Sequence, residues 1–265
     1  MIHVSGLYIY PLKSARGWSL TRCDIDAFGP RGDRRFMLVN RQGMFMTQRR
    51  HPQMALLHVA EEVGRWRFGF PGQAEHVLTL PQDAPVHEVQ IWGEDIRAHD
   101  MGDEAAAWFS ACLGEVCRLV YMRDDTLRPV DPNYAKEEAQ VSFADGFPLL
   151  LISQGSLDDL NARLEETIGM ERFRPNLVVS GVEAFTEDTW RRIRIGSIEF
   201  DIVKPCARCV LTTVEQNTGV KGKEPMRTLK TYRMFEGAVL FGQNLIHRGQ
   251  GSIRIDDEVE VLETL

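Results

Sequence analysis

The chain has 265 residues, 43% hydrophobic and 26% charged, proportions of an ordinary folded chain that exclude disorder, collagen-like repeats and low-complexity polymers. Thirty-one lysines and arginines against 38 acidic residues leave a net charge of −7. An acidic chain without a basic stripe is not expected to bind nucleic acid. The N-terminus lacks the charged and apolar regions of a signal peptide, and the longest apolar run, 147–152, is far short of the ~20 residues that span a bilayer. A cytoplasmic protein without a membrane segment is expected. Five scattered cysteines, an odd number, point to thiols rather than a disulfide framework. The length suits about two domains.

In chain order, β-branched and aromatic clusters predict strands over 4–10, 35–40, 55–60, 66–70 and 89–92. An Ala-rich helix follows over 103–113, with Asp103 and Glu104 favouring its positive end and Gly114 as its stop. A second helix is expected from Ser156 as N-cap, with Leu157, Leu160, Leu164 and Ile168 forming one apolar stripe. Ile193 and Ile195, then Gly196-Ser197, then Ile198, Phe200 and Ile202 read as a hairpin. Ile253, Ile255, Asp256-Asp257, Val259 and Val261 repeat that arrangement. The fold class is therefore mainly β with a few helices, divided softly near residue 115 into 1–115 and 116–265.

The sharpest chemical feature is Pro205-Cys206-Ala207-Arg208-Cys209. Thiolates bind soft or high-valent metals, and the neighbouring guanidinium favours the thiolate, so a cysteine here suits a ligand or a nucleophile. The pair lacks the second pair or histidines of a zinc site, and 210–214 continues with β-branched residues instead of opening a thioredoxin-like helix. Buried structural thiols remain the alternative. Tyr10-Pro11-Leu12-Lys13-Ser14 and Arg31-Gly32-Asp33-Arg34-Arg35 place cations in loops where they can bind an anion or form a solvated rim. Phe173-Arg174-Pro175-Asn176 stands at a strand entrance, where Arg174 and Asn176 either read a heterocycle edge or cap a sheet.

These segments, with Thr47-Gln48-Arg49, Glu187-Asp188-Thr189-Trp190, Thr212-Thr213, Thr218-Gly219, Leu229-Lys230-Thr231-Tyr232-Arg233 and Phe241-Gly242, resemble the MOSC-domain family. The similarity covers nearly the whole chain and extends to the group with a MOSC N-terminal β-barrel domain that includes the amidoxime reducing components. It implies a MOSC N-terminal β-barrel domain followed by a MOSC β-barrel, and a molybdenum cofactor (Mo-molybdopterin) ligated by one cysteine, which falls on Cys209. It further implies that Lys13, Ser14 and Arg34 hold the cofactor phosphate, that Arg174 and Asn176 contact the pterin, and that Asp145 lies near the metal and supplies protons. Cys206 is then a supporting or packing thiol. The implied activity is reduction of small N-hydroxylated compounds, a detoxifying reaction. With no cysteine after Cys209, no Fe–S cluster is expected in this chain, so a separate electron donor of ferredoxin or flavin reductase type is implied. A non-catalytic cofactor or sulfur carrier is the alternative.

Overall fold

The computed structural model describes residues 1–135 and 139–265. Among the described residues strands dominate, in four sheets. The largest runs in the order Val259–Thr264, Trp190–Ile195, Ile198–Arg208, Ala238–Arg248, Leu149–Ser153, Leu177–Ser180, His3–Ile9 and Trp18–Leu20, with Met234–Phe235 paired beside Ala238–Arg248. Its ladder is not a closed barrel. The two flanks instead meet along a seam, where His3 bridges Glu258, Val4 N donates to Asp257 O and Val259 N donates to Ile2 O. The sheet thus curls around a core that includes Val4, Leu7, Leu151, Leu177, Ile193, Phe200 and Leu245. Alternation puts these residues on one face, and their burial is the main stabilising term.

Leu149–Ser153 and Leu177–Ser180 are parallel neighbours, joined by a crossover containing the helix Gln154–Asn161. This helix starts earlier and ends sooner than the sequence predicts. Ser153, not Ser156, is the N-cap, accepting from Ser156 N. The Ser156 hydroxyl instead donates to the buried Glu187 carboxylate. Asn161 clamps Ile168 through both its amide atoms, at 2.9 and 3.1 Å, and this replaces further helical turns. Leu164 and Ile168 still pack on the core below.

A second body contains the four-stranded sheet Phe36–Asn40, Cys117–Tyr121, Glu94–Asp100 and Val86–Ile91, the three-stranded sheet His58–Glu62, Arg65–Gly69 and His76–Thr79, and the helix Asp103–Leu113. The helix has its expected bounds, and Gly114 closes it in the left-handed region. Edge-to-face contacts of Phe36 with Trp66 (4.9 Å) and Phe68 (5.4 Å), and of Phe68 with Phe109 (5.2 Å), knit helix and sheets. The strand expected over 55–60 begins only at His58, because Pro52–Leu56 forms a 3-10 turn started by Pro52. The strands before residue 27 join the C-terminal sheets: His3–Ile9 pairs with Leu177–Ser180, and Arg22–Asp26 with Gly251–Arg254.

The Ile195/Ile198 hairpin forms in the expected register. The second expected hairpin does not. Gly251–Arg254 pairs with Arg22–Asp26 and Val259–Thr264 pairs with Trp190–Ile195, so the turn at Asp256-Asp257 directs its flanks into different sheets. Ladders to distant strands, with Ile253 opposite Cys23 and Val259 opposite Ile195, replace the local pairing.

Gly242 has φ +83, and a Cβ there would lie 2.6 Å from Ile152 Cγ1 and 2.8 Å from Leu151 O. Strain and overpacking therefore combine, and Gly242→Ala is expected to destabilise by about 3–5 kcal/mol, read as a lowered urea midpoint with unchanged slope.

Candidate functional site

Bulges in the Ile198–Arg208 strand aim the cysteine segment. Its register against Ala238–Arg248 shifts between Ile202 and Lys204 and again between Pro205 and Ala207, and such bulges turn a strand and redirect its side chains. After Cys209 the chain leaves the strand for a 3-10 turn, Val210–Thr213, where an extended continuation is expected from the sequence. Thr212 Oγ1 donates to Cys209 O (3.0 Å) and Thr213 Oγ1 to Val210 O (2.7 Å), local bonds that compete with a ladder. Cys206 and Cys209 are both half-buried thiols, whereas Cys23, Cys112 and Cys117 are buried.

A single cavity is lined by Lys13, Ser14, Arg34, Asp145, Arg174, Asn176 and Cys209, all seven candidate residues. Three of them, Ser14 (φ 66), Arg34 (φ 47) and Arg174 (φ 57), are non-glycine residues in the left-handed region. Such conformations cost about 1–3 kcal/mol each and persist where the surroundings over-determine them, commonly at binding sites. Tyr10 supplies part of that constraint: the guanidinium groups of Arg34 (4.4 Å) and Arg174 (4.2 Å) both lie over its ring, and its hydroxyl donates to Pro175 O. Arg34 also donates to the buried Asp33 carboxylate, to Asn176 Oδ1 (3.1 Å) and to Arg174 O (3.2 Å). The Asn176 amide is largely committed to the sheet, accepting from Leu150 N and donating to Tyr8 O.

Lys13 Nζ donates to Phe143 O (2.7 Å) and to Asp145 Oδ1 (2.6 Å). Burial pushes the Lys13 ammonium down to about 8, with Asp145 opposing the shift. Desolvation works against ionisation of Asp145, but Lys13, its hydrogen bond and the nearby Arg49 and Arg34 outweigh it and hold the carboxyl below the usual carboxylate range. At neutral pH the proton of this pair therefore resides on Lys13 Nζ. Burial likewise lowers the Arg174 guanidinium, to about 10.

Arg49, Arg208, Thr47 and Trp92 also line the cavity. Arg49 Nε donates to Cys209 Sγ at 3.2 Å while its guanidinium lies over the Trp92 ring at 4.5 Å. Arg208 donates to Cys206 Sγ at 2.9 Å, and its Nε is buried without a partner among the described residues. Arg208 is the guanidinium expected from the sequence to favour a thiolate, and Thr47 and Arg49 belong to a motif of the resemblance without an assigned role, whereas Trp92 carries no signal in the sequence. Trp92 sits at the tip of the hairpin joining Val86–Ile91 to Glu94–Asp100, with φ 54, and nothing local signals that this tip reaches the cysteines.

Five cations, Lys13, Arg34, Arg49, Arg174 and Arg208, thus face two carboxylates, Asp33 and Asp145. Several partly desolvated cations in excess of their counter-ions favour a multiply anionic ligand. Among the described residues no group of three or more His, Cys, Asp or Glu is arranged to hold a metal ion. Cys209 therefore suits a metal that brings most of its own ligands. A phosphate-bearing dithiolene cofactor has these properties, and the donor set fits it.

The MOSC N-terminal beta barrel domain profile matches residues 1–116, and the MOSC domain profile matches 138–260. The chain belongs to the MOSC family. The mitochondrial amidoxime reducing component 2 of Rattus norvegicus is 38% identical to this MOSC protein over 277 residues, 97% of this chain and 82% of that protein. Component 2 of Homo sapiens is 37% identical over 276 residues, with 97% and 82% covered, and human component 1 is 32% identical over 279, with 98% and 82% covered. No helix of the described chain is long and apolar enough to cross a membrane.

An anion in the cavity is expected to feel the titration of Lys13. The folded chain holds this proton less tightly than the unfolded chain, whose lysine titrates near 10.5. As pH rises from about 8 to 10.5 the unfolded state binds more protons, so the stability cost of the buried ammonium is relieved, while its attraction for anions is lost. Inorganic pyrophosphate should bind the metal-free protein roughly tenfold more weakly at pH 9 than at pH 7. In Lys13→Met, calorimetric titration should show weak binding at both.

Proposed function

We propose that the cavity holds a molybdenum cofactor with Cys209 Sγ as protein ligand, and that the chain is an oxidoreductase that reduces small N-hydroxylated compounds with electrons from a separate donor protein in the cytoplasm. The observation that carries this reading is the convergence of Cys209 and an excess of partly desolvated cations on one cavity. The names of the relatives, amidoxime reducing components at 32–38% identity, support the same chemistry. When bound, the cofactor supplies two-electron oxygen removal at the metal, chemistry that protein side chains lack.

The chain's own residues do the rest. Lys13, Ser14 and Arg34 border the part of the cavity suited to the phosphate, and Arg174, rigid against Tyr10, borders the part suited to the pterin. Arg49 directs a cationic donor at Cys209 Sγ and complements negative charge on that sulfur. Asp145 keeps the Lys13 ammonium charged at the cavity, where it would complement an anionic group. Its carboxylate, with a side chain 66% exposed, faces the open end. Asp145 thus acts through Lys13 rather than as an acid itself.

The test is conversion of benzamidoxime to benzamidine by the cofactor-loaded protein with reduced methyl viologen. Benzamidine formed in step with viologen oxidation supports the reductase. Tight molybdenum retention without turnover returns the chain to the carrier alternative.

A further inference from the structure

Residues 221–233 hold five cations and one carboxylate in a chain of net charge −7, so the remainder carries −11; Arg233 is buried against Asp188 and Arg227 is paired with Glu224, which leaves Lys221, Lys223 and Lys230 as its exposed unpaired cations among the described residues. This segment lies beside the cysteine cavity. Val214 bridges Lys221 across a tight loop in which Glu215 N donates to Val220 O, directly after the Val210–Thr213 turn. The loop leans on the stretch that carries Arg49: Lys221 Nζ donates to Arg49 O, Arg16 donates to Asn217 Oδ1 (2.8 Å), and a Cβ added to Gly219 would lie 3.2 Å from Pro52 O. Arg16, Arg50, Lys221 and Lys223 are all exposed. The carboxylates nearest in sequence are already engaged, Glu224 by Arg227 and Glu215 by the backbone of its own loop. Two large apolar side chains sit exposed within this region, Val210 at 55% and Val220 at 64%.

We propose that this face, two exposed valines among Arg16, Arg50, Lys221 and Lys223, docks a small acidic one-electron carrier protein that delivers electrons to the adjoining Cys209 cavity. The proposal rests on the reductase reading. Converting R–NHOH to R–NH2 and water breaks the N–O bond and consumes two electrons and two protons, so two reduced carriers are each oxidised by one electron per turnover. A carrier that must bind, discharge and leave suits a small apolar centre with a charged rim, which speeds encounter without slowing release. Local positive charge on an acidic protein also orients an acidic partner, because the rest of the surface repels it.

The experiment uses the cofactor-loaded full chain, benzamidoxime as acceptor, and two donors: a plant-type [2Fe–2S] ferredoxin kept reduced by its NADPH-dependent reductase, and reduced methyl viologen. In Arg50→Glu/Lys223→Glu the ferredoxin-driven second-order rate at low salt is expected to fall about tenfold and to lose most of its salt dependence. The viologen-driven rate should not fall. Arg65→Glu, on the separate three-stranded sheet, should change neither. A ferredoxin-driven rate unaltered by the double substitution, or a wild-type rate indifferent to salt, would overturn the docking face. So would loss of binding to phosphatidylserine vesicles with ferredoxin kinetics intact, which would assign the face to a lipid surface. A wild type inactive even with viologen brings down the reductase reading instead, and direct titration of ferredoxin onto wild type and double variant then still decides the surface.

Discussion

Cys209→Ala is expected to lower molybdenum content by more than about tenfold in protein from a cofactor-producing host, with the fold intact. The thiol is half-buried and belongs to no core cluster, and the residue's backbone is extended, φ −124 and ψ −179, a conformation alanine adopts freely. Its carbonyl, which accepts from Thr212 N and Oγ1, is untouched by the substitution. What alanine removes is the soft donor under Arg49. Cys206→Ala should retain most of the metal, since Cys206 packs against the Phe173 and Phe241 cluster and takes its hydrogen bond from Arg208. Elemental analysis of both variants beside wild type is the measurement. Equal loss in the two would mean that the pair acts as a unit; loss only in Cys206→Ala would move the ligand.

Arg34→Ala is expected to affect both stability and cofactor retention. Asp33 is fully buried and is hydrogen-bonded to Tyr10 N and to Arg34. Burial already raises its pKa against the pull of Arg34, so deleting the guanidinium removes the cation hydrogen-bonded to this carboxylate and leaves only the more distant charge of Arg174. Removing one member of such a pair costs about 3–5 kcal/mol, which for a chain of this size lowers the melting temperature by roughly 10 °C. Asp33→Ala/Arg34→Ala should recover part of that loss, as a double-mutant cycle requires of a coupled pair. Arg34→Gly should be about 1 kcal/mol less damaging than Arg34→Ala, because glycine accepts the φ of 47 without strain. Neither double variant nor glycine should restore anion binding. If all three variants melt together with wild type, Asp33 and Arg34 are not coupled.

Much of the fold is legible locally. The Gly196-Ser197 turn and its alternating isoleucines give their hairpin in register, and Asp103, Glu104 and Gly114 bound their helix where the sequence places it. Two of the misreadings share one origin, while those at Pro52–Leu56 and Val210–Thr213 are local. Where a segment's flanks offer a partner to distant chain, tertiary pairing wins: the Asp256-Asp257 segment looks like a hairpin, but its two strands belong to different sheets. Likewise Ser156 looks like a cap, but Ser153 serves that role and Glu187 engages the Ser156 hydroxyl.

For the site, residue types and their order determined the candidate residues and, through the resemblance, the family. A cysteine beside a guanidinium, cations in loops and an Arg-Pro-Asn strand entrance are each compatible with a soft-metal, anion-binding site and each equally with structural thiols, a solvated rim or a sheet cap; it is the order of the assembled motifs that points to the MOSC family. Only the tertiary structure decided which of those groups meet. It brings Arg49 to Cys209 across 160 residues, sets Trp92 over Arg49 from a separate sheet, and places the Asp145 carboxylate on Lys13. Such contacts depend on how sheets pack, and side-chain periodicity reports only which face of an element is buried, not which distant element covers it.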